Sequence, residues 1–399
     1  MAKRRLDDWL TSHLEYTEHS ESPISYHTWA AISCIASALQ RRVYVDWETR
    51  IYPNQYIILI GPSANARKGY PLDLARTLIN KINIFVAAEN PTPEALIVDI
   101  QEQETTFKDG TTGKFPMQSP VYIVAEELSV LLGQQNIMFL SFLTNWYDSR
   151  GVWHRRTKHG QSQKILGVSC NILASTAPDW LPSILTQEAI GGGFTSRCIF
   201  VVEEKKRQTI LDPADFRPPL ALLEDLAHDL ETMLYTSGKF EWDNDAKELY
   251  KEWYSEEDRK IDNFTVMGGD PALRNYAGRR TTHLRKLMMC MSMSRDNDLQ
   301  LTKNDFDRAK LLLEITEKKM PAVYKGLGRS RYVQETEIIL SYIRSKGSCL
   351  KSEMLMDLYR DIDEAALESI MNILTSMKII SNTIMPDKDD RRYTYKGDN

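Results

Sequence analysis

Residues Ile57-Ile58-Leu59-Ile60-Gly61-Pro62-Ser63-Ala64-Asn65-Ala66-Arg67-Lys68-Gly69 run from a continuous apolar stretch into a small-residue loop that carries two cations. A strand that is apolar on both faces belongs in a buried parallel sheet. Pro71 to Asn80 then follows helical spacing. Strand, loop and helix in that order aim backbone N–H groups and a helix N-terminus at one point, with a lysine in reach, which is the geometry that cradles a phosphate. Gly61, Pro62, Ser63, Asn65, Ala66, Arg67, Lys68, Gly69 and Tyr70 are therefore the candidate nucleotide-binding residues. Lys68 lies seven residues after Gly61, one more than is usual, and Gly69 stands where a Mg²⁺-binding Ser or Thr is expected. The alternative is a plain strand-to-helix turn with Arg67 and Lys68 solvated.

Downstream, Val121-Tyr122-Ile123-Val124-Ala125-Glu126-Glu127 is an apolar strand ending in two acids. Behind a phosphate loop, the first acid suits Mg²⁺ and the second suits orientation of the attacking water. The competing reading is a helix N-terminus, where the dipole favours acids. Val168 to Thr176 (VSCNILAST) is a further buried strand with a polar end, and Asn171, Ser175 and Thr176 are candidate sensors of a γ-phosphate. Gly191-Gly192-Gly193-Phe194-Thr195-Ser196-Arg197 places an arginine after a glycine turn, where it is either a finger reaching a neighbouring subunit or a structural salt bridge.

Fifty Lys and Arg stand against 55 Asp and Glu, a net charge of −5, so contact with nucleic acid requires a local basic segment. Arg150 to Lys164 is one: five cations, no acid, and the pattern of a β-hairpin with Lys158-His159-Gly160-Gln161 at its tip. Arg155, Arg156, Lys158, His159 and Lys164 are the candidate DNA-binding residues, the contact being of the electrostatic, sequence-independent kind, with a merely solvated hairpin as the alternative. Five widely separated cysteines without a CxxC pair argue against a zinc ribbon or disulfide framework and suit a reducing cytosol. No stretch reads as a secretory signal or a membrane span, so the expected location is cytoplasmic with no membrane partner.

The expected architecture is α/β. Residues 1–42 read as a helical segment, with Trp29, Ile32, Ile35 and Leu39 at helical spacing. Residues 43–215 read as a three-layer core with further strands at Ile82 to Ala87, Tyr122 to Ala125, Val168 to Ala174 and Cys198 to Val202. Helices separate them at Pro93 to Glu104, Met138 to Trp146 and Pro178 to Leu185. Residues 216–328 read as all-helical. Residues 329–399 read as three helices and a β-hairpin, the winged-helix pattern, with ten Lys and Arg against twelve Asp and Glu from Ser330 onwards. That balance, with Glu364 and Glu368 on the third helix, favours protein docking or weak DNA steering over sequence reading.

The stretches Tyr52-Pro53-Asn54-Gln55-Tyr56, Gly61-Pro62-Ser63, Arg67-Lys68, Ala125-Glu126-Glu127-Leu128, Tyr147-Asp148, Trp153, Ala174-Ser175-Thr176-Ala177-Pro178 and Gly193 to Arg197 together resemble a family of P-loop helicase-like proteins of phages, plasmids and primase–helicase fusions. That family is similar to AAA+ machines, notably the superfamily 3 viral helicases and the minichromosome-maintenance helicases. The resemblance implies ATP and Mg²⁺ as cofactors, with Lys68 on the phosphates and Glu126 at the metal. It implies a ring, expected as a hexamer, on single-stranded DNA, with duplex or forked DNA as alternatives. Residues 216–328 would be a lid in which Arg285, or Arg279 or Arg280, senses ATP. No primase module is expected here, so a primase or other replication protein would dock through the winged helix, in the host cytoplasm if the chain is phage-encoded. The rival is an ATP switch of the initiator, helicase-loader or transposition-regulator type. A scaffold that has lost hydrolysis is a further alternative.

Overall fold

The computed structural model describes residues 3–133, 136–156, 162–181, 193–212, 218–262, 273–323, 333–359, 362–385 and 390–396. The chain divides into two compact units, 1–327 and 328–399.

In the first unit, β1 (Val43–Tyr44) is followed by β2 (Tyr56–Ile60), β3 (Thr105–Thr106) and β4 (Met117–Ala125). The hairpin strands β5 (Val152–Arg155) and β6 (Gln163–Leu166) precede β7 (Val168–Thr176) and β8 (Cys198–Val202). Five of these form a mixed sheet in the order β3-β4-β7-β2-β8, parallel except at the β3–β4 edge. All five residues of β2 and all nine of β7 are buried; β2 is apolar throughout, while β7 also buries Ser169, Asn171, Ser175 and Thr176. The expected strand at 82–87 shrinks to a single parallel bridge, Val86 to Tyr122. The expected helix Pro178 to Leu185 opens as a 3-10 turn, Pro178–Trp180, and turns α-helical at Leu181; its remainder, within residues 182–192, lies outside the described ones.

The helix Ile24–Leu39 is buried almost all round, and not only along the Trp29–Leu39 stripe. Its Ala30, Ala31, Ser33, Ala36 and Ser37 keep it slim enough to lie between layers. Two of its buried polar groups bond to distant chain: Ser33 Oγ donates to Tyr122 Oη (3.1 Å) and Trp29 Nε1 to Thr316 Oγ1 (2.9 Å). The first residues are tied to distant chain in the same way. Arg4 donates to the carbonyls of Met293 and Ser294, and Asp8 pairs with Arg308.

Residues 220–323 are not all-helical. Two-residue strands β9 (Gly238–Lys239) and β10 (Glu241–Trp242) lie parallel to β1 and to β11 (Gln300–Leu301). The helices Asn244–Asp262, Arg280–Arg295 and Lys303–Glu317 share a buried ion cluster: Arg280 Nε is 2.8 Å from both carboxylate oxygens of Glu317, and its Nη1 donates to Glu257. One hydrophobic core runs from Trp9 to Val323.

The second unit has its own core, with Ile339, Ile343, Met354, Ile370, Leu374 and Tyr393 at its centre. The helix Val333–Lys346, β12 (Ser348–Leu350), the helices Lys351–Asp357 and Glu364–Ser376, and then β13 (Ile380–Met385) and β14 (Asp390–Tyr395) follow in turn, the strands forming an antiparallel sheet of order β12-β14-β13. Asp363 caps the third helix by accepting from Ala366 N.

Candidate functional site

The parallel strands β2, β4, β7 and β8 end together, because Ile60 is in register with Thr176 and Val202, and Ala125 with Ala174. Ligands of open α/β sheets bind at the carboxyl ends of the strands, and the loop, the acid pair and the hydroxyls all lie there. Gly61 N donates to Thr176 O (3.3 Å). Thr176 Oγ1 donates to Glu127 Oε1 (2.7 Å), and Ser175 Oγ to Glu126 O (2.5 Å). Lys68 is half-buried and donates to Gly61 O (2.5 Å) and Pro62 O (3.5 Å). Burial lowers its pKa, and attraction to Glu127 opposes that shift. The helix Gly69–Lys81 begins with no side-chain cap, so its first N–H groups face the loop unclaimed by side chains. Lys68, Glu127 and Thr176 thus form one cluster, with an uncapped helix start beside it.

Gly61 is required by space. A Cβ there would meet Glu203 O and Tyr26 Oη at 2.5 Å and Ala66 Cβ at 2.6 Å. Gly61→Ala is expected to destabilise the first unit by about 1–3 kcal/mol, the cost of overpacking, read from the urea midpoint. Ala64 and Arg67 sit at positive φ (61° and 51°), where a Cβ costs roughly 1–2 kcal/mol per residue. Such strain is held only where its surroundings over-determine it. Those surroundings are the N-terminal helices, which no spacing in the loop announces. Tyr26 Oη donates to Ile60 O (2.7 Å) and Ser22 Oγ to Arg67 O (2.6 Å). Glu21 binds both Arg67 (2.7 Å) and Lys206 (2.8 Å), so Arg67 is turned onto a carboxylate. Tyr70 is exposed and stands edge-on to His27, which burial holds neutral with a pKa of about 3. Ser63 and Asn65 are exposed in the loop, Asn65 donating to Glu204 O.

Other candidates lie elsewhere. Asn171 accepts from Gln55 N (2.8 Å) near the middle of β7, five residues before Thr176 and level with the far end of β2. Five residues of strand span about 16 Å, so Asn171 cannot sense what Lys68 holds; it fastens the start of β2. Arg197 precedes β8 at that same far end, since Cys198 is in register with Tyr56. It is buried and paired with Asp148 (3.0 Å), the salt-bridge alternative. Arg280 is buried in its ion cluster. Arg285 packs its guanidinium over Trp47 (3.7 Å) and Tyr250 (4.9 Å), and none of the contacts given for it among the described residues reaches 61–70. Arg279 shares Asp148 (3.4 Å).

The hairpin forms, anchored by Trp153 against Phe142 and Trp146. Arg155 is drawn back onto Glu94 (3.2 Å) and the Phe142 ring (5.0 Å), so it holds the hairpin down. Arg156 and Lys164 are exposed, and Lys158 and His159 lie outside the described residues.

A divalent cation fits this end of the sheet only with help. Glu126 and Glu127 supply carboxylates, Gly69 supplies no hydroxyl, and among the described residues no group of three His, Cys, Asp or Glu could hold a metal alone. Phosphate oxygens and water would have to complete its shell. Among the described residues no helix is long and apolar enough to cross a membrane. No protein-family model matches the chain, and no curated protein matches it.

Proposed function

We propose that the chain is a P-loop ATPase of the AAA+ kind that moves along single-stranded DNA as a ring, expected as a hexamer, in phage or mobile-element replication. The observation that carries this reading is the meeting of Lys68, Glu127 and Thr176 at the ends of three adjacent parallel strands, with β7 between the loop strand and the acid strand. Lys68 has two backbone carbonyls as partners and can exchange them for the β- and γ-phosphate oxygens of ATP. Glu127, held by Thr176, presents a carboxylate that accepts from the attacking water and orients it. Glu126, exposed beside it, would hold Mg²⁺, which neutralises phosphate charge when bound. Arg197, far from its own loop, would serve a neighbouring subunit only after leaving Asp148. The hairpin would supply the phosphate contacts to DNA. The second unit, read as a winged helix, uses Lys351 to neutralise Glu364 and Glu368, which favours a replication protein over DNA as its partner.

ATP turnover with and without single-stranded DNA tests the reading, with Glu127→Gln as control. DNA-stimulated turnover that Glu127→Gln abolishes is the expected result; turnover indifferent to that change would remove the assignment. The engagement of Arg197 and Arg155 by carboxylates favours one rival, an ATP switch that loads or initiates without unwinding. Slow hydrolysis on duplex DNA with no strand separation would select it.

A further inference from the structure

The end of the sheet opposite Lys68 carries a cleft of about 610 Å³ lined by Arg41, Arg50, Arg150, Arg279 and Lys286. Asp148 is the one carboxylate in its lining, and it is shared: Arg150 (3.8 Å), Arg197 (3.0 Å) and Arg279 (3.4 Å) all point to it. Lys286 is buried with no carboxylate in its hydrogen-bond shell; its ammonium donates to Asn54 O (2.9 Å) and Oδ1 (2.7 Å) and faces the Tyr147 ring (4.2 Å). Arg41 donates to Ser149 O (3.1 Å) and lies over Tyr52. Arg50 reaches Asp46 and Asp109 only loosely, at 3.8 Å each. Behind Trp47, which lines the cleft and is half exposed, Arg285 adds a cation whose Nε and one Nη are buried without a partner.

Cations left in excess in a partly buried cavity are a cost that an anion relieves. Burial lowers the pKa of Arg41, Arg279 and Lys286, the last to about 7, and repulsion from neighbouring arginines adds to each shift. A smaller cavity of about 230 Å³ continues from Arg150 along Val152, Trp153 and His154 of β5. Arg150 lines both, so a track runs from the cationic cleft to the root of the hairpin. A track suits a chain of phosphates better than one nucleotide, and an exposed indole on a basic wall is a stacking platform for a base.

We propose that this cleft is a second anion site that takes backbone phosphates of single-stranded nucleic acid, with a base stacking on Trp47. The choice of ligand rests on the proposed function; the excess of cations does not. Phosphate oxygens also occur on free polyphosphates, so the test must separate the two sources.

Binding of a fluorescent 20-nucleotide single strand to the full chain is measured without ATP, across a salt series. Each neutralised phosphate contact contributes about 0.7 to the slope of log K against log salt. Arg50→Gln, which lies outside the hairpin, is expected to lower the slope by about 0.7, and Arg50→Gln with Arg150→Gln by about 1.4. Both side chains are at the surface, and an unchanged thermal midpoint confirms folding. Lys303→Gln with Lys318→Gln, on a different helix, should leave the slope where it was. Tryptophan emission should be quenched by the strand, and Trp47→Phe should remove that quench. An unchanged slope together with a persistent quench overturns the proposal. Tight binding of tripolyphosphate, lost in the same double variant, without binding of the strand would also overturn it and assign the cleft to a free polyphosphate. Lys68→Ala keeps the test separate from the motor reading, because it leaves this slope intact whether or not ATP is hydrolysed.

Discussion

Lys68→Ala is expected to lower ATP turnover by at least about 100-fold, the usual cost of deleting a preorganised charge at a transition state, without loss of fold. In the resting protein the Lys68 ammonium touches only Gly61 O and Pro62 O, at the edge of a loop already held by Tyr26, Ser22 and Glu21. Its removal leaves those carbonyls to water and deletes the one cation that faces Glu127 from the loop. Steady-state phosphate release reads the effect, and circular dichroism confirms the fold. Turnover within about threefold of the parent would end the phosphate-loop assignment.

Arg280→Met is expected to have the largest effect on stability, a loss of about 3–5 kcal/mol, because it leaves buried Glu317 without its cation and Glu257 with Lys260 alone. Glu317 is already shifted upward by burial, against the attraction of Arg280 and a hydrogen bond from Tyr276. Burial alone would lower the pKa of Arg280, and Glu317 and Glu257 overcome it and raise it. Without the guanidinium, the three helices would meet across two desolvated acids. Urea denaturation followed by tryptophan emission measures the loss. Replacing Glu257 and Glu317 by leucine in the same chain should recover most of it, since a buried ion cluster and a packed apolar one differ little in net stability. A midpoint within 0.5 kcal/mol of the parent, a change typical of surface sites, would show that water reaches the cluster.

How much was legible follows from how locally each feature is determined. The runs at 56–60, 168–176 and 198–202 announce buried strands because no other element tolerates apolar side chains on both faces in so short a span. The two-residue strands β9, β10 and β11 leave no trace, because two residues hold no period. Asn171 shows a different limit. Its polarity suggests a strand end, while the count to Thr176 puts it in the middle of the central strand, about 16 Å from the loop. In Arg279-Arg280-Thr281-Thr282-His283-Leu284-Arg285-Lys286 the spacing says helix, and the neighbours that decide each cation's role come from elsewhere in the chain. Glu257 and Glu317 claim Arg280, Trp47 claims Arg285, and Asn54 claims Lys286. The clasp of the N-terminal helices on the loop is equally nonlocal.

The bond from Trp29 to Thr316 joins residues 287 apart in sequence, and those from Arg4 span as many. At a ribosome adding about 5–20 residues per second, Trp29 waits roughly 15–60 s for its partner to be made. Until then a helix that is buried almost all round has no complete berth, and the sheet behind it lacks β7 and β8 for much of the delay. Contacts of such separation also fold slowly once the chain is free. The second unit, whose core draws only on residues 339 to 393, carries no such debt to the rest of the chain. Synthesis of this protein therefore passes through a long interval in which the Ile24–Leu39 helix stands without its later partners, and slowing translation lengthens that exposure.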